Sequence, residues 1–138
     1  MAITQAVANS FKTEVLTGTH NFTATTGNSF KIALYTNSAT ISKSTTAYTT
    51  TAEVSGTGYT AAGNTLTSVT PVLSTDTAVC DFADTSWTSA TITARGALIY
   101  NDTQSDKAVV ILDFGGDKTS TAGTFTIQFP AADASNAI

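Results

Sequence analysis

From Thr19 onward the apolar residues of this chain recur at every second position, and that period constrains the fold more than any other feature. In Phe30-Lys31-Ile32-Ala33-Leu34-Tyr35, the residues Phe30, Ile32 and Leu34 point one way and Lys31, Ala33 and Tyr35 the other. A pleated strand half-buried against a core has this pattern. Similar stretches cover 64–73, 78–83 and 89–101, with Pro71 marking a strand edge or end and Trp87 on the connection before the last of them. Ala97-Leu98-Ile99-Tyr100, a polar turn over 101–106, and the returning strand 107–114 read as a hairpin. Gly115-Gly116-Asp117 is expected to break it. A last strand then runs over 124–129, and Pro130 ends it. A Ser/Thr-rich loop over 36–46 and an edge segment over 47–54 complete the pattern. In Ser55-Gly56-Thr57-Gly58-Tyr59-Thr60-Ala61-Ala62-Gly63, the glycines supply backbone angles that other residues resist, which predicts a tight loop between strands.

Only the first segment has another period. Ile3, Val7, Phe11 and Val15 recur every fourth residue and Leu16 widens the stripe, which predicts a helix over about 4–17. Thr4 is its expected N-cap and Gly18 its stop. One helix followed by about seven or eight strands, with no helix between them, predicts an all-β antiparallel sandwich or jelly roll. The chain of 138 residues has the size of one domain, so 1–138 is read as a single β-sandwich domain. At that length a core can form without disulfides or metals.

Composition narrows the function. Charged residues make up 12% of the chain, about half the usual fraction, while the hydrophobic share is 41%. Roughly a third of the residues are Thr or Ser, which fit pleated surfaces and leave them uncharged. The six basic residues are scattered, so nucleic-acid binding is not expected. No apolar run approaches ~20 residues, so no membrane insertion is expected. Nothing at the N-terminus resembles a signal peptide, which implies synthesis and retention in a cytoplasm.

The chemistry-bearing residues point away from catalysis. His20 is the single histidine and is expected at the helix end as a capping partner or on the surface. The single cysteine, Cys80, is expected to share a buried strand face with Ala78 and Phe82. One His and one Cys cannot supply a zinc site. Asp102, Asp106, Asp113 and Asp117 crowd one region but lack the alternation of a calcium loop. Glu14 and Glu53 are the only glutamates, and nothing sets them up as a hydrolytic pair. No nucleophile elbow is present, and Gly56-Thr57-Gly58 has no helix after it to cradle phosphate. The expectation is therefore a non-enzymatic protein with no cofactor, no metal and no small-molecule substrate.

Three runs carry a resemblance. They are Glu53-Val54-Ser55-Gly56-Thr57-Gly58-Tyr59-Thr60-Ala61, Ala94-Arg95-Gly96-Ala97-Leu98-Ile99-Tyr100-Asn101, and Ala108-Val109-Val110-Ile111-Leu112-Asp113-Phe114-Gly115, together with the opening that ends Leu16-Thr17-Gly18-Thr19-His20. As a set they resemble small structural proteins of tailed phages, over most of the chain. The glycine loop departs from the relatives' pattern, with Ala61-Ala62-Gly63 in place of Ala-Gly-Gly. The relatives also continue for a few apolar residues where this sequence stops at Ile138, which bears on the last strand. The resemblance implies a virion location and a capsid decoration (cement) role, with the major capsid protein and further copies of itself, as homodimer or homotrimer, for partners. A tail-tube, fibre or head–tail component is the alternative. A carbohydrate-binding module is the second, and would need exposed aromatics such as Trp87, Tyr48 and Tyr59. The expected interface residues are Phe11, Leu16, Gly56, Gly58 and Tyr59.

Overall fold

The computed structural model describes residues 2–133 and 135. The expectations that concern the end of the sequence at Ile138 lie outside these residues. Among those described there are seven strands and one helix: β1 (Ala6–Val7), α1 (Asn9–Leu16), β2 (Phe30–Tyr35), β3 (Asn64–Thr65), β4 (Ser68–Ser74), β5 (Thr77–Phe82), β6 (Thr85–Asn101) and β7 (Lys107–Ile127). The strands form two antiparallel sheets, a five-stranded one in the order β1-β7-β6-β2-β3 and a two-stranded ribbon, β4-β5. The chain is thus mostly β with one short helix.

The predicted hairpin is the backbone of the molecule, but it is far longer than expected. Gly115-Gly116-Asp117 does not end it. The strand runs on to Ile127, and the extra residues there are absorbed by a register shift between Ala94 and Gly96 on the partner. Residues 114–117 of β7 stand opposite Arg95 alone, and a bulge of this kind bends a strand without ending it. Trp87, expected on a connection, lies within β6 opposite Phe125 and is 3% exposed. Strand β2 has the predicted bounds but is buried on both faces. Phe30, Ile32 and Leu34 enter one core cluster, while Ala33 and Tyr35 enter a second, with Ile41, Leu98, Tyr100 and Ile111. A central strand flanked by β6 and β3, with layers on either side, leaves only Lys31 half-exposed.

The helix is shorter than its pattern. Ala6 and Val7 pair with Ile111 and Val110 of β7, and Ile3 bridges to Ile41. The open edge of β7 offers backbone partners that a helix at these positions would forgo, so the four-residue period is overridden. The N-cap is Ala8 rather than Thr4, and the helix closes at Thr17 with Gly18 at φ +75°. Segment 47–54 makes bridges at Ala47 and Glu53 without becoming a strand. Stretch 64–73 divides into β3 and β4, and Pro71 sits at the register shift of the ribbon. On β5 the expected burial holds for Phe82, 7% exposed, but not for Ala78 and Cys80, which are exposed while Val79 between them is 5% exposed. The shift beside Pro71 places Val79 and Phe82, three residues apart, on the core side.

Candidate interaction site

Two buried polar clusters tie the irregular segments to the sheet. The first centres on His20, which is buried rather than a surface cap. Its Nε2–H donates to Glu14 Oε2 of α1 at 2.7 Å. Its Nδ1 accepts from Asn101 Nδ2 at 3.0 Å. The amide orientation follows from its other bonds. Asn101 Oδ1 accepts the Gln104 N–H, and Nδ2 also donates to Asn28 Oδ1 at 2.9 Å. With an NH2 facing Nδ1, that nitrogen is the acceptor and Nε2 the donor, and both nitrogens are engaged. The rings of Phe11, Phe22 and Phe30 enclose it, the nearest with its centroid at 4.8 Å. Lys107 Nζ lies 3.8 Å from the other Glu14 oxygen. The cluster fastens α1 to β6 and leaves no free base.

The second gathers all four tyrosines around the 47–63 loop. Glu53 accepts Tyr48 Oη–H at 2.6 Å on one oxygen. On the other it accepts Tyr59 Oη–H at 2.6 Å and the Ala62 N–H at 2.8 Å. Tyr35 Oη donates to the Thr49 carbonyl and Tyr100 Oη to that of Ala62, both at 2.7 Å. Tyr48 stacks on Tyr100 with centroids 4.9 Å apart. Burial and the hydrogen bond to Glu53 push the Tyr48 phenol up to about 12. Burial raises Tyr35, Tyr59 and Tyr100 as well. A glutamate bound by phenols that resist ionisation is a clasp for a loop. The sequence carries no local signal for it, since Tyr35 of β2 and Tyr100 of β6 come from segments far from the loop that holds Tyr48, Glu53 and Tyr59.

The aspartates that crowd the sequence do not converge. Asp102 pairs with Lys31 at 3.5 Å. Asp117 accepts from Arg95 Nε at 2.8 Å and Asn37 Nδ2 at 3.3 Å. Among the described residues no three His, Cys, Asp or Glu side chains are grouped to hold a metal ion.

Two surface features remain. An apolar groove of about 350 Å³ is lined by Phe11, Phe22, Val79, Phe82, Val109 and Phe129, among others. Its charged lining residues are Asp81 and Asp133, both acidic. The outer face of the long hairpin is the second feature. On β6 it presents Ser86, Thr88, Thr91 and Thr93, and on β7 Thr119, Thr121, Thr124 and Thr126, all exposed. Cross-strand hydroxyl contacts link Ser86 to Thr126 at 2.9 Å and Thr93 to Thr119 at 3.0 Å. The other face of the same segment carries Trp87, Ala90, Ile92 and Phe125 into the core.

Of the expected interface residues, Leu16 is 86% exposed and Phe11 is half-buried, lining the groove. Gly56 and Gly58 bring the loop backbone against β6. A Cβ at Gly58, which has φ +82°, would come within 2.9 Å of the Ala90 side chain. Tyr59 has its ring 6.0 Å from that of Trp87 and its hydroxyl on Glu53 and the Leu34 N–H. Gly56 and Gly58 are exposed while seating the loop backbone on β6 beside the half-buried Tyr59, and Phe11 and Leu16 are on α1. No protein-family model, curated protein or solved structure matches this chain.

Proposed function

We propose that the chain is a non-enzymatic structural protein of a tailed-phage particle that decorates the assembled capsid shell and stabilises it. The observation that carries this reading is the hydroxyl-covered face of the β6–β7 hairpin, eight exposed Ser and Thr residues side by side with no charge among them. Such a face packs against protein without stripping water from ions, a cost that charged surfaces incur. The resemblance of the glycine-loop and hairpin runs to virion proteins points the same way. The mechanism is linkage: a protein that binds only the assembled shell shifts its equilibrium away from disassembly by mass action.

A tail or head–tail role is favoured by one different observation. Beyond Ile111 the outer edge of β7 pairs with no strand among the described residues, and an open edge suits a ring or stack. The carbohydrate-binding reading loses its support, because Trp87 is buried and Tyr48 and Tyr59 are committed to Glu53. Cryo-electron microscopy of the particle that contains the chain tests the proposal. Copies on the icosahedral shell at twofold or threefold positions are expected. Copies confined to a tail ring, stack or fibre overturn the decoration role.

A further inference from the structure

The apolar groove and the exposed face of helix α1 fit each other. The groove is walled by Phe11 of α1 and by Val79 and Phe82 of β5, and its charged lining is acidic only. No Lys or Arg occurs between residues 44 and 94, the stretch that supplies the β5 wall and Asp81. An occupant should therefore be apolar with a positive charge beside it. Helix α1 has that composition. Val15 is 41% exposed and Leu16 86% exposed, and Lys12 is exposed. At 3.6 residues per turn Val15, Lys12 and Leu16 occupy one continuous arc that begins beside Phe11.

We propose that the groove is filled, across a twofold axis, by helix α1 of a second copy of this chain, with Val15 and Leu16 as the apolar insert and Lys12 set against the Asp81 carboxylate. The twofold follows from adjacency. One helix supplies both a wall of the groove, through Phe11, and the insert, through Leu16, so the patch is self-complementary and the assembly closes as a dimer. A stable dimer needs about 800 Å² from each partner, more than a two-turn helix provides. The adjoining ribbon supplies further apolar surface. Val72 and Leu73, 51% and 71% exposed, stand opposite the groove-lining Val79 and Ala78.

Sedimentation equilibrium of the purified chain tests this, with Leu16→Asp, Lys12→Glu, Asp81→Lys and the Lys12→Glu/Asp81→Lys double variant. Lys12 and Leu16 are exposed and Asp81 is half-buried, and circular dichroism confirms that each variant folds. The wild type is expected to dimerise. Leu16→Asp should raise Kd at least about tenfold, as loss of a central apolar anchor does. Each charge reversal should raise it about three- to tenfold, and the double variant should return to within about threefold of wild type. A wild-type monomer overturns the proposal, and so does a dimer indifferent to Leu16→Asp. A wild-type monomer whose groove takes up an apolar fluorescent dye assigns the groove to another occupant. A dimer that Leu16→Asp breaks but the double variant does not restore overturns the Lys12–Asp81 placement. The inference stands on the groove and helix alone, so its failure leaves the virion reading to be judged by the particle.

Discussion

Glu53 shows at the scale of one residue how this chain orders segments that form no regular structure. Its two oxygens take three donors, so Glu53→Ala should leave two phenols and a backbone N–H short of a partner and cost about 2–4 kcal/mol. Glu53→Gln keeps the shape and should cost less. Urea denaturation midpoints of the two variants separate these outcomes. The phenols give a pH dependence. A group whose pKa is raised in the fold holds its proton more tightly there, so its contribution is complete below the ordinary value and is lost as pH rises through the raised one. For Tyr48 that window runs from near 10 to about 12, and the other three tyrosines shift in the same direction. Phenolate absorbance and circular dichroism should therefore change together on alkaline titration. Phenolate appearing near pH 10 with the fold intact would contradict the clasp. Gly63 is a second fixed point. At φ +75° its missing Cβ faces the Ile32 carbonyl oxygen directly, so Gly63→Ala should cost about 3 kcal/mol or more by the same urea assay.

Among the elements, those set by local pattern were legible in the sequence and those set by distant partners were not. Strand β2, the turn over 102–106 and the Pro71 edge follow from alternation, turn residues and the missing proline N–H. Strand β1 was hidden. A helical period covers Ile3 to Val15, and only Val110 and Ile111, a hundred residues away, decide otherwise at Ala6 and Val7. The Gly115-Gly116 break failed for a related reason: β6 opposite is long enough to carry a bulge and resume pairing at Lys118. The groove and the His20 cluster were equally hidden, because each joins side chains from segments far apart in the chain. Trp87 anchors the extended half of the hairpin, with its indole N–H buried and without a hydrogen-bond partner. Trp87→Phe removes that donor and should cost under about 1.5 kcal/mol, whereas Trp87→Ala should cost about 3–5 kcal/mol. Thermal unfolding followed by far-UV circular dichroism ranks the two.

Taken as a whole, the molecule seats its His20 and Glu53 clusters against the sheet and turns a hydroxyl-rich hairpin face and an acidic-rimmed apolar groove outward. Cys80 reports on that groove. Partial burial and the Asp81 charge raise its thiol, so native protein should react with maleimide more slowly than a free thiol at neutral pH. Reaction at the free-thiol rate would place Cys80 clear of the groove. The pairing of Ala6 with Ile111 also has a consequence for how the chain is made. A ribosome adds about 5–20 residues each second, so the first strand waits roughly 5–20 s for its partner to be synthesised. During that interval Ile3, destined for the core, has no sheet to enter, and the nascent chain is then most open to capture by chaperones or by its neighbours on the same message. The central hairpin needs no such wait, since its two arms meet across a five-residue turn. Its closure is expected to come first and the N-terminal segment to dock last, so that the groove wall formed by Phe11 is completed only when the whole chain is present.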